Sequence, residues 1–423
     1  METTTAHRRL ARAAPRFAGV ILFVVWCNSG FAQQVTAPDA EPPFIQLRGR
    51  IDADFLWADQ DASNQADFGV LPDVVGLRRA RVVAFGILSD DWRYLFEIDL
   101  ASGDVVLRDG YLAGGDVSGA GEVLIGHFRE PFSLEGGTSA NSFAFMERSP
   151  ANVLDPARNW GAMYRIAGHE QRWTAAAGVF ESGTDPSDVE FGPGSTTDFT
   201  VKGTVLPLAV DESRFMHVGA AVSVQVANQS LIAINQRPRS PLLAFNDSTN
   251  SPFVPTLSFS ADSAELLNLQ WAGVYGPLWG QSEWYGALIN QNVGDAVFLH
   301  GGHVDVGYFV TGEHPTYRKD SGIFGAVTVL RPVISDFSSS KSERPRGPGA
   351  WEVTFRIATL DFNSPALPAG STGVVLDQYT AGLNWYLADR MRLMMNYTLA
   401  LPDLAGSGRS RASVIGMRVG MFW

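Results

Sequence analysis

The sequence predicts an all-β protein: a 16-stranded antiparallel transmembrane β-barrel with an inward-folded third loop. Three observations lead there. Apolar and polar residues alternate with a period of two in stretch after stretch, the pattern of a strand with one apolar face. These stripes run about nine to twelve residues, the length of a tilted strand that crosses a bilayer, where soluble sheets usually use five or six. Short polar connections alternate with long ones, as in a barrel with tight turns on one side and large loops on the other.

Composition fits this class and excludes others. Only 18% of the 423 residues are charged, and a formal net charge of −12 argues against nucleic acid as a partner. Beyond the N-terminus no apolar run reaches the roughly 18 residues of a membrane-spanning helix. No linker or shift of composition divides residues 44–423, so they are expected to form one barrel. After residue 43 the lysines are Lys202, Lys319 and Lys341, which leaves arginine to carry nearly all the positive charge.

Residues 1–32 read as an export signal. Arg8, Arg9, Arg12 and Arg16 form its basic region, Phe17 to Trp26 its apolar core, and Gly30-Phe31-Ala32 its cleavage site. Cys27, the single cysteine, would leave with it, so no disulfide, thiol nucleophile or thiolate metal ligand is expected in the mature chain. Residues 33–43, with Pro38, Pro42 and Pro43, form a short disordered lead.

From Phe44 the alternation is strict. Ile45, Leu47, Ile51, Phe55 and Trp57 share one face; Gln46, Arg48, Arg50, Asp52 and Asp54 share the other. Trp92 to Leu100, Phe215 to Val226, Trp351 to Ile357, Tyr379 to Leu387 and Met391 to Leu399 repeat the pattern. Trp57, Trp92 and Tyr397 stand at stripe ends, where an interfacial aromatic girdle belongs. The short connections are 89–91, 169–171, 276–277 and 388–390; the long polar ones are 58–75, 131–160, 181–197 and 227–263. The last stripe, Ser413 to Trp423, stops on an aromatic and resembles the C-terminal sorting strand that the barrel-assembly machinery reads. Counting Ile323 to Leu330 would give seventeen strands. A closed single chain with both ends on one side needs an even number, so 313–348 is expected to be a long excursion on the turn side, with Arg318 outside the lumen.

One stretch does not fit a solvent loop. Gly126 to Arg148, GHFREPFSLEGGTSANSFAFMER, ends its strand at Pro131 and then mixes glycine with Phe132, Leu134, Phe143, Phe145 and Met146. Large apolar groups in a long loop predict that it folds back inside a larger structure. Arg129, Glu130, Glu135, Glu147 and Arg148 would then share a confined space.

At this point the sequence resembles the family of phosphate-selective porins O and P. The matching pieces are LRRAR at 77–81, WRYLFEIDL at 92–100, GHFREPFSLE at 126–135, FMERS at 145–149, GYFVTGE at 307–313, GAWEVTFRIATLDF at 349–362 and GLNWYLADRMRLMMNY at 382–397. The resemblance implies a homotrimeric channel in outer-membrane lipid that passes small anions, phosphate or polyphosphate among them, through a narrow pore lined with arginine and lysine. His127 and Arg129 stand where the family usually has glutamine and lysine, and His314-Pro315 follows GYFVTGE where an arginine is usual.

Strand parity places Arg48, Arg50, Arg79, Arg81, Arg93, Arg165, Arg356, Arg392 and Arg418 in the lumen, with Asp52, Asp54, Glu97, Asp99, Glu283, Asp305 and Glu352. A guanidinium binds oxyanions through two parallel bonds and stays charged at any working pH, so unpaired arginines would favour anions. Arginines paired to these carboxylates would instead give a rigid, weakly selective general-diffusion pore or a structural barrel. Arg129 and Arg148 are the best constriction residues. Glu130, Glu135 and Glu147 are expected to hold the loop against wall arginines, and Phe132, Phe143 and Phe145 to pack it. Lys202, His217 and His303 also face the lumen. No nucleophile motif accompanies either histidine, and the seven histidines show no ligand spacing, so no catalytic residue, metal or other cofactor is expected.

Overall fold

A computed structural model describes residues 42–115, 121–183, 194–234, 252–334 and 344–423. The export signal expected at 1–32, most of the lead at 33–43, and Lys341 lie outside these residues.

Sixteen antiparallel strands close into a barrel. In chain order they are β1 (Phe44–Gln60), β2 (Val74–Ser89), β3 (Trp92–Asp99), β4 (Val106–Gly114), β5 (Gly121–Arg129), β6 (Arg158–Ala167), β7 (Trp173–Ser182) and β8 (Thr196–Asp211). The second half comprises β9 (Arg214–Ala227), β10 (Ala261–Tyr275), β11 (Leu278–Gln291), β12 (Val297–Phe309), β13 (Ala350–Asp361), β14 (Val374–Ala388), β15 (Met391–Leu404) and β16 (Ala412–Phe422). Each pairs with the next, and β16 returns to β1 from Arg50↔Phe422 to Gln60↔Ala412. Closure leaves no strand edge for lipid to meet, which is the condition for crossing a bilayer with strands.

Burial alternates as the sequence requires. Ile51, Trp57, Val222, Phe355 and Ile357 are exposed on the outer face, while Arg50, Asp52, Asp54, Glu352, Thr354 and Arg356 are buried within. A bulge in β2 breaks the parity there. Asp52 faces Arg79 but Ala53 faces Leu77, so Arg78 is an extra residue in β2. Arg78 and Arg79 are both buried as a result.

Among the described residues, the two largest of four buried apolar clusters involve the 126–148 stretch. Toward the long loops, Phe132, Ala151 and Leu154 pack with Phe253, Phe259, Tyr285, Leu299 and Phe362. Toward the short turns, Leu134 and Phe145 pack with Phe215, Trp279, Phe309, Phe324 and Tyr386. The 126–148 stretch thus supplies apolar side chains to both clusters, which accounts for their number.

The 313–348 segment, expected as a long excursion on the turn side, does leave the barrel sheet there, but its described residues turn back toward the lumen. Pro315–Arg318 and Ile323–Val327 pair as a hairpin separate from the barrel sheet, so the even strand count holds. The hairpin turns back against inward-facing groups: the Tyr317 hydroxyl lies 2.7 Å from His217 Nδ1, and Phe324 meets Phe215 and Trp279. Arg318, expected outside the lumen, therefore sits beside a residue that contacts the inner wall. Its apolar members Tyr317, Ile323, Phe324 and Val327 would be exposed in a free excursion, and burying them drives the hairpin inward.

Candidate functional site, a charged cage around residues 130–157

The segment between β5 and β6 is rooted by two ion pairs. Arg129, the last residue of β5, bonds Asp155 at 2.8 Å, and Arg158, the first of β6, holds Asp109 through two bonds of 3.0 Å. A short helix, α1 (Ala62–Phe68), follows β1; between these roots lies a one-turn helix, α2 (Leu134–Gly137), capped by the Ser133 hydroxyl at the Gly136 N–H, and a 3₁₀ turn at Pro150–Leu154.

The inward-facing side chains of six strands donate hydrogen bonds to the backbone carbonyls of this segment. Gln270 on β10 reaches Phe132 at 2.6 Å and Lys202 on β8 reaches Ser133 at 3.0 Å. Arg392 on β15 reaches Phe143 at 2.6 Å and Ala140 at 2.8 Å, and Asn384 on β14 reaches Ala144 at 2.7 Å. Arg418 on β16 bonds the Met146 carbonyl, and Arg356 on β13 the Glu147 carbonyl at 3.0 Å. In return Glu283 on β11 accepts the Leu134 and Glu135 N–H groups at 2.8 and 2.5 Å. These bonds satisfy backbone groups that the irregular segment leaves without a helix or sheet partner, which favours its burial.

The three glutamates differ in their partners. Glu135 bonds Arg356 at 2.6 Å. Glu147 takes Arg78 at 2.9 Å through both oxygens, Arg418 at 2.6 Å and Arg79 at 3.2 Å. Glu130 meets no arginine: it accepts from Asn159 at 2.6 Å and from the Thr200 hydroxyl, because β6 and β8 carry no arginine at that level. Burial and the facing Asp198 hold the Glu130 pKa well above the usual carboxylate value. Phe143 and Phe145 carry the guanidinium groups of Arg148 and Arg356 over their rings at 4.5 and 4.3 Å.

Most wall arginines are paired. Arg50 and Arg79 share Asp52 at 2.7 and 3.0 Å, Arg81 holds Glu97 and Asp99 at 2.7 and 2.8 Å, and Arg93 and Arg165 both bind Glu122. Arg418 holds Asp54 through two bonds of 2.7 Å. Arg48 donates to Gln46 at 2.8 Å and lies over Phe85. Arg148 is different. Its hydrogen bonds go to the carbonyls of Glu135, Gly136 and Thr138 at 3.1 to 3.2 Å. Burial first, and then the neighbouring Arg129, push its pKa well below the usual arginine value. Arg148, Arg392 and Lys202 are thus cations whose hydrogen bonds end on neutral carbonyls rather than carboxylates.

Sequence reasoning missed Arg78, Asp155 and the Arg158–Asp109 and Glu122 partnerships. The LRRAR run carried the signal for Arg78, but a bulge is invisible to simple alternation. Asp155 lies in the irregular segment, Glu122 and Arg158 near strand ends, and Asp109 just after a second bulge at Arg108, all places where parity gives no direction.

The closed sixteen-stranded barrel, with a charged interior and a segment bonded across it, is that of an outer-membrane porin. A profile of the family described as phosphate-selective porin O and P matches residues 45–421, and the chain belongs to that family. Porin O of Pseudomonas aeruginosa is 24% identical over 432 aligned residues, covering 93% of this chain and 92% of that protein. Among solved structures, the anion-selective porin from Comamonas acidovorans superposes with a TM-score of 0.50 at 12% identity, over 90% of this chain and all of the other. The loop L8 deletion mutant of OmpT from Vibrio cholerae superposes with a TM-score of 0.53 at 11% identity, over 90% and 99%. The family and the barrel place the chain in the bacterial outer membrane.

Proposed function

We propose that the chain is a passive outer-membrane channel for small anions, phosphate-class oxyanions among them, and that it performs no catalysis. In this reading residues 130–157 fold into the lumen and set its narrowest point, with Arg129 and Arg148 beside the path. The signal at 1–32, a homotrimeric assembly and insertion by the barrel-assembly machinery belong to the same reading. So does the resemblance to Porin O and to a porin described as anion-selective.

The observation that carries it is the imbalance at the segment. Arg148, Arg392 and Lys202 bring positive charge to it and end on neutral carbonyls. In a confined site at an effective dielectric near 20, a unit charge about 4 Å away contributes on the order of 4 kcal/mol. An anion passing there is favoured, and a cation opposed, without being trapped by direct coordination. The paired arginines Arg50, Arg79, Arg81, Arg93 and Arg165 favour a second reading, a weakly selective general-diffusion pore, because each is matched by a carboxylate.

Planar-bilayer recordings under a potassium chloride gradient separate the two. Anion selectivity, chloride current blocked by added phosphate, and loss of both in Arg148→Glu and Arg392→Gln support the first. A reversal potential near zero, unmoved by either change in properly folded protein, establishes the second.

A further inference from the structure

Beneath α2, three carboxylates from separate parts of the chain converge on one imidazole. His303 and Asp305 lie on β12, Glu283 on β11, and Glu135 in α2. The His303 and Glu283 side chains are fully shielded from solvent, and Glu135 is only 3% exposed. The imidazole Nδ1 lies 3.1 Å from Asp305 Oδ1. A carboxylate accepts only, so Nδ1 bears the proton. Nε2, on the far side of the ring, has no hydrogen-bond partner. It points between Glu283 Oε1 at 3.6 Å and Glu135 Oε2 at 3.7 Å.

These two separations are too long for hydrogen bonds. They suit two ligand atoms on one metal. Donors about 2.1 Å from a common zinc-like ion, at angles of about 110–120°, stand about 3.4–3.6 Å apart. The partner on the other ring nitrogen fits too. An imidazole that donates Nδ1–H to a carboxylate presents Nε2 as a fixed, more basic ligand. Charge points the same way. Among the described residues, Arg356 is the one permanent cation within ion-pair distance of these carboxylates, bound to Asp305 and to Glu135 Oε1. With the imidazole neutral, as a ligand must be, three carboxylates and one guanidinium leave two negative charges in a buried site, which a divalent cation would neutralise on displacing any imidazole proton. Arg356 occupies Glu135 Oε1 and leaves Oε2 to Ser149 and the gap; Glu283 Oε1 accepts one bond, from the Glu135 N–H.

We propose that Glu135 and His303 Nε2 hold a first-row divalent cation of the zinc type, with Asp305 orienting the imidazole and Glu283 facing Nε2 from the other side. Imidazole with carboxylate is a donor set such ions accept. Because Glu135 belongs to the loop segment and His303 to the wall, the ion would clamp α2 to β12. Histidine spacing carries no hint of it, since the groups come from three separate stretches.

The test uses the full-length folded protein in detergent, stripped with a chelator, dialysed against Zn²⁺ and then against metal-free buffer. Metal is counted per chain by mass spectrometry. Stoichiometric zinc in the wild type and in His300→Gln, a change at a half-buried histidine away from the site, with at least tenfold weaker binding in His303→Gln and Glu283→Gln, supports the site. Wild-type binding no tighter than that of His303→Gln, or lost in His300→Gln, overturns it. Should either buried variant misfold, X-ray absorption of the zinc-loaded wild type decides: a shell with one imidazole nitrogen and carboxylate oxygens supports the site, and a shell without imidazole overturns it.

Discussion

Arg356 and Glu135 lie 2.6 Å apart across 221 positions of sequence, and the same guanidinium grips Asp305 through bonds of 2.7 and 2.6 Å. This one side chain ties the loop segment to the wall and keeps two buried carboxylates compatible. Removing one partner of a buried ion network leaves uncompensated charge, which typically costs about 3–5 kcal/mol. We therefore expect Arg356→Met to destabilise the barrel by about that much in urea titrations in detergent. Arg356→Lys should lie between it and the wild type, because an ammonium keeps the charge but loses the planar fork. Equal stability of Arg356→Met and wild type would show that the pair holds nothing.

The two faces of the wall should respond differently to the same substitution. Phe355 and Val222 are exposed near the middle of β13 and β9, so Phe355→Arg or Val222→Arg should cost about 2–4 kcal/mol in lipid. Gln225 lies on the inner face of β9, 2.9 Å from Asp198. Gln225→Arg should be mild, since the new guanidinium gains a carboxylate partner. Thr354, though inward-facing, is a poor control: it is buried, with Gly382 close against its hydroxyl. Similar losses for Phe355→Arg and Gln225→Arg would contradict the assignment of faces.

Most of this wall was legible in the sequence because period-two alternation is a direct physical demand: lipid on one side, water and charge on the other. Parity therefore put Arg50, Asp52, Asp54, Arg356 and Arg418 inside, where the structure has them. Aromatics in a glycine-rich loop likewise marked Phe132, Phe143 and Phe145 as packing groups, and they are buried. What was not legible depends on partners distant in sequence. Arg392 looked like one more ladder arginine, but its bonds go to Phe143 and Ala140, some 250 residues earlier. Glu130 resembled Glu135 and Glu147 in every local respect, yet Asn159 and Thr200 receive it. The hairpin at 315–327 escaped because its short strands pair with each other rather than with the barrel.

The barrel seam rests on a small residue. Gly49 and Trp423 exchange backbone bonds of 3.1 and 3.0 Å, and the indole lies flat where any side chain at position 49 would go. Gly49→Val must displace that ring, and overpacking of this kind costs about 1–3 kcal/mol. Deleting Trp423 removes the last rung between β1 and β16 as well as the terminal aromatic. Both variants should reach the outer membrane at reduced levels, and the folded form should convert to the unfolded gel mobility at lower temperature. Wild-type levels and mobility in both would count against a role for this contact in closure or insertion.

The last prediction concerns pH. Glu130 is buried at the root of the loop segment, facing Asp198, and both effects raise its folded pKa well above that of an exposed glutamate. The sign follows from proton linkage. Above the unfolded value of about 4.3 the unfolded chain releases this proton while the folded chain retains it. The folded state then binds more protons, so the contribution of Glu130 to stability falls as pH rises toward the folded pKa and is constant beyond it. Glutamine removes the titration and keeps the geometry: its carbonyl can accept from Asn159, and its amide can donate to Thr200 or Asp198. Glu130→Gln should match the wild type near pH 4 and exceed it at pH 8, with the gap opening between. Urea titrations of both proteins across that range read the difference for the Glu130–Asp198 pair, and groups away from that pair titrate alike in the two chains and cancel. A gap that is flat, or that closes as pH rises, would mean that Glu130 is ionised in the folded protein and held there by a cation rather than by its proton.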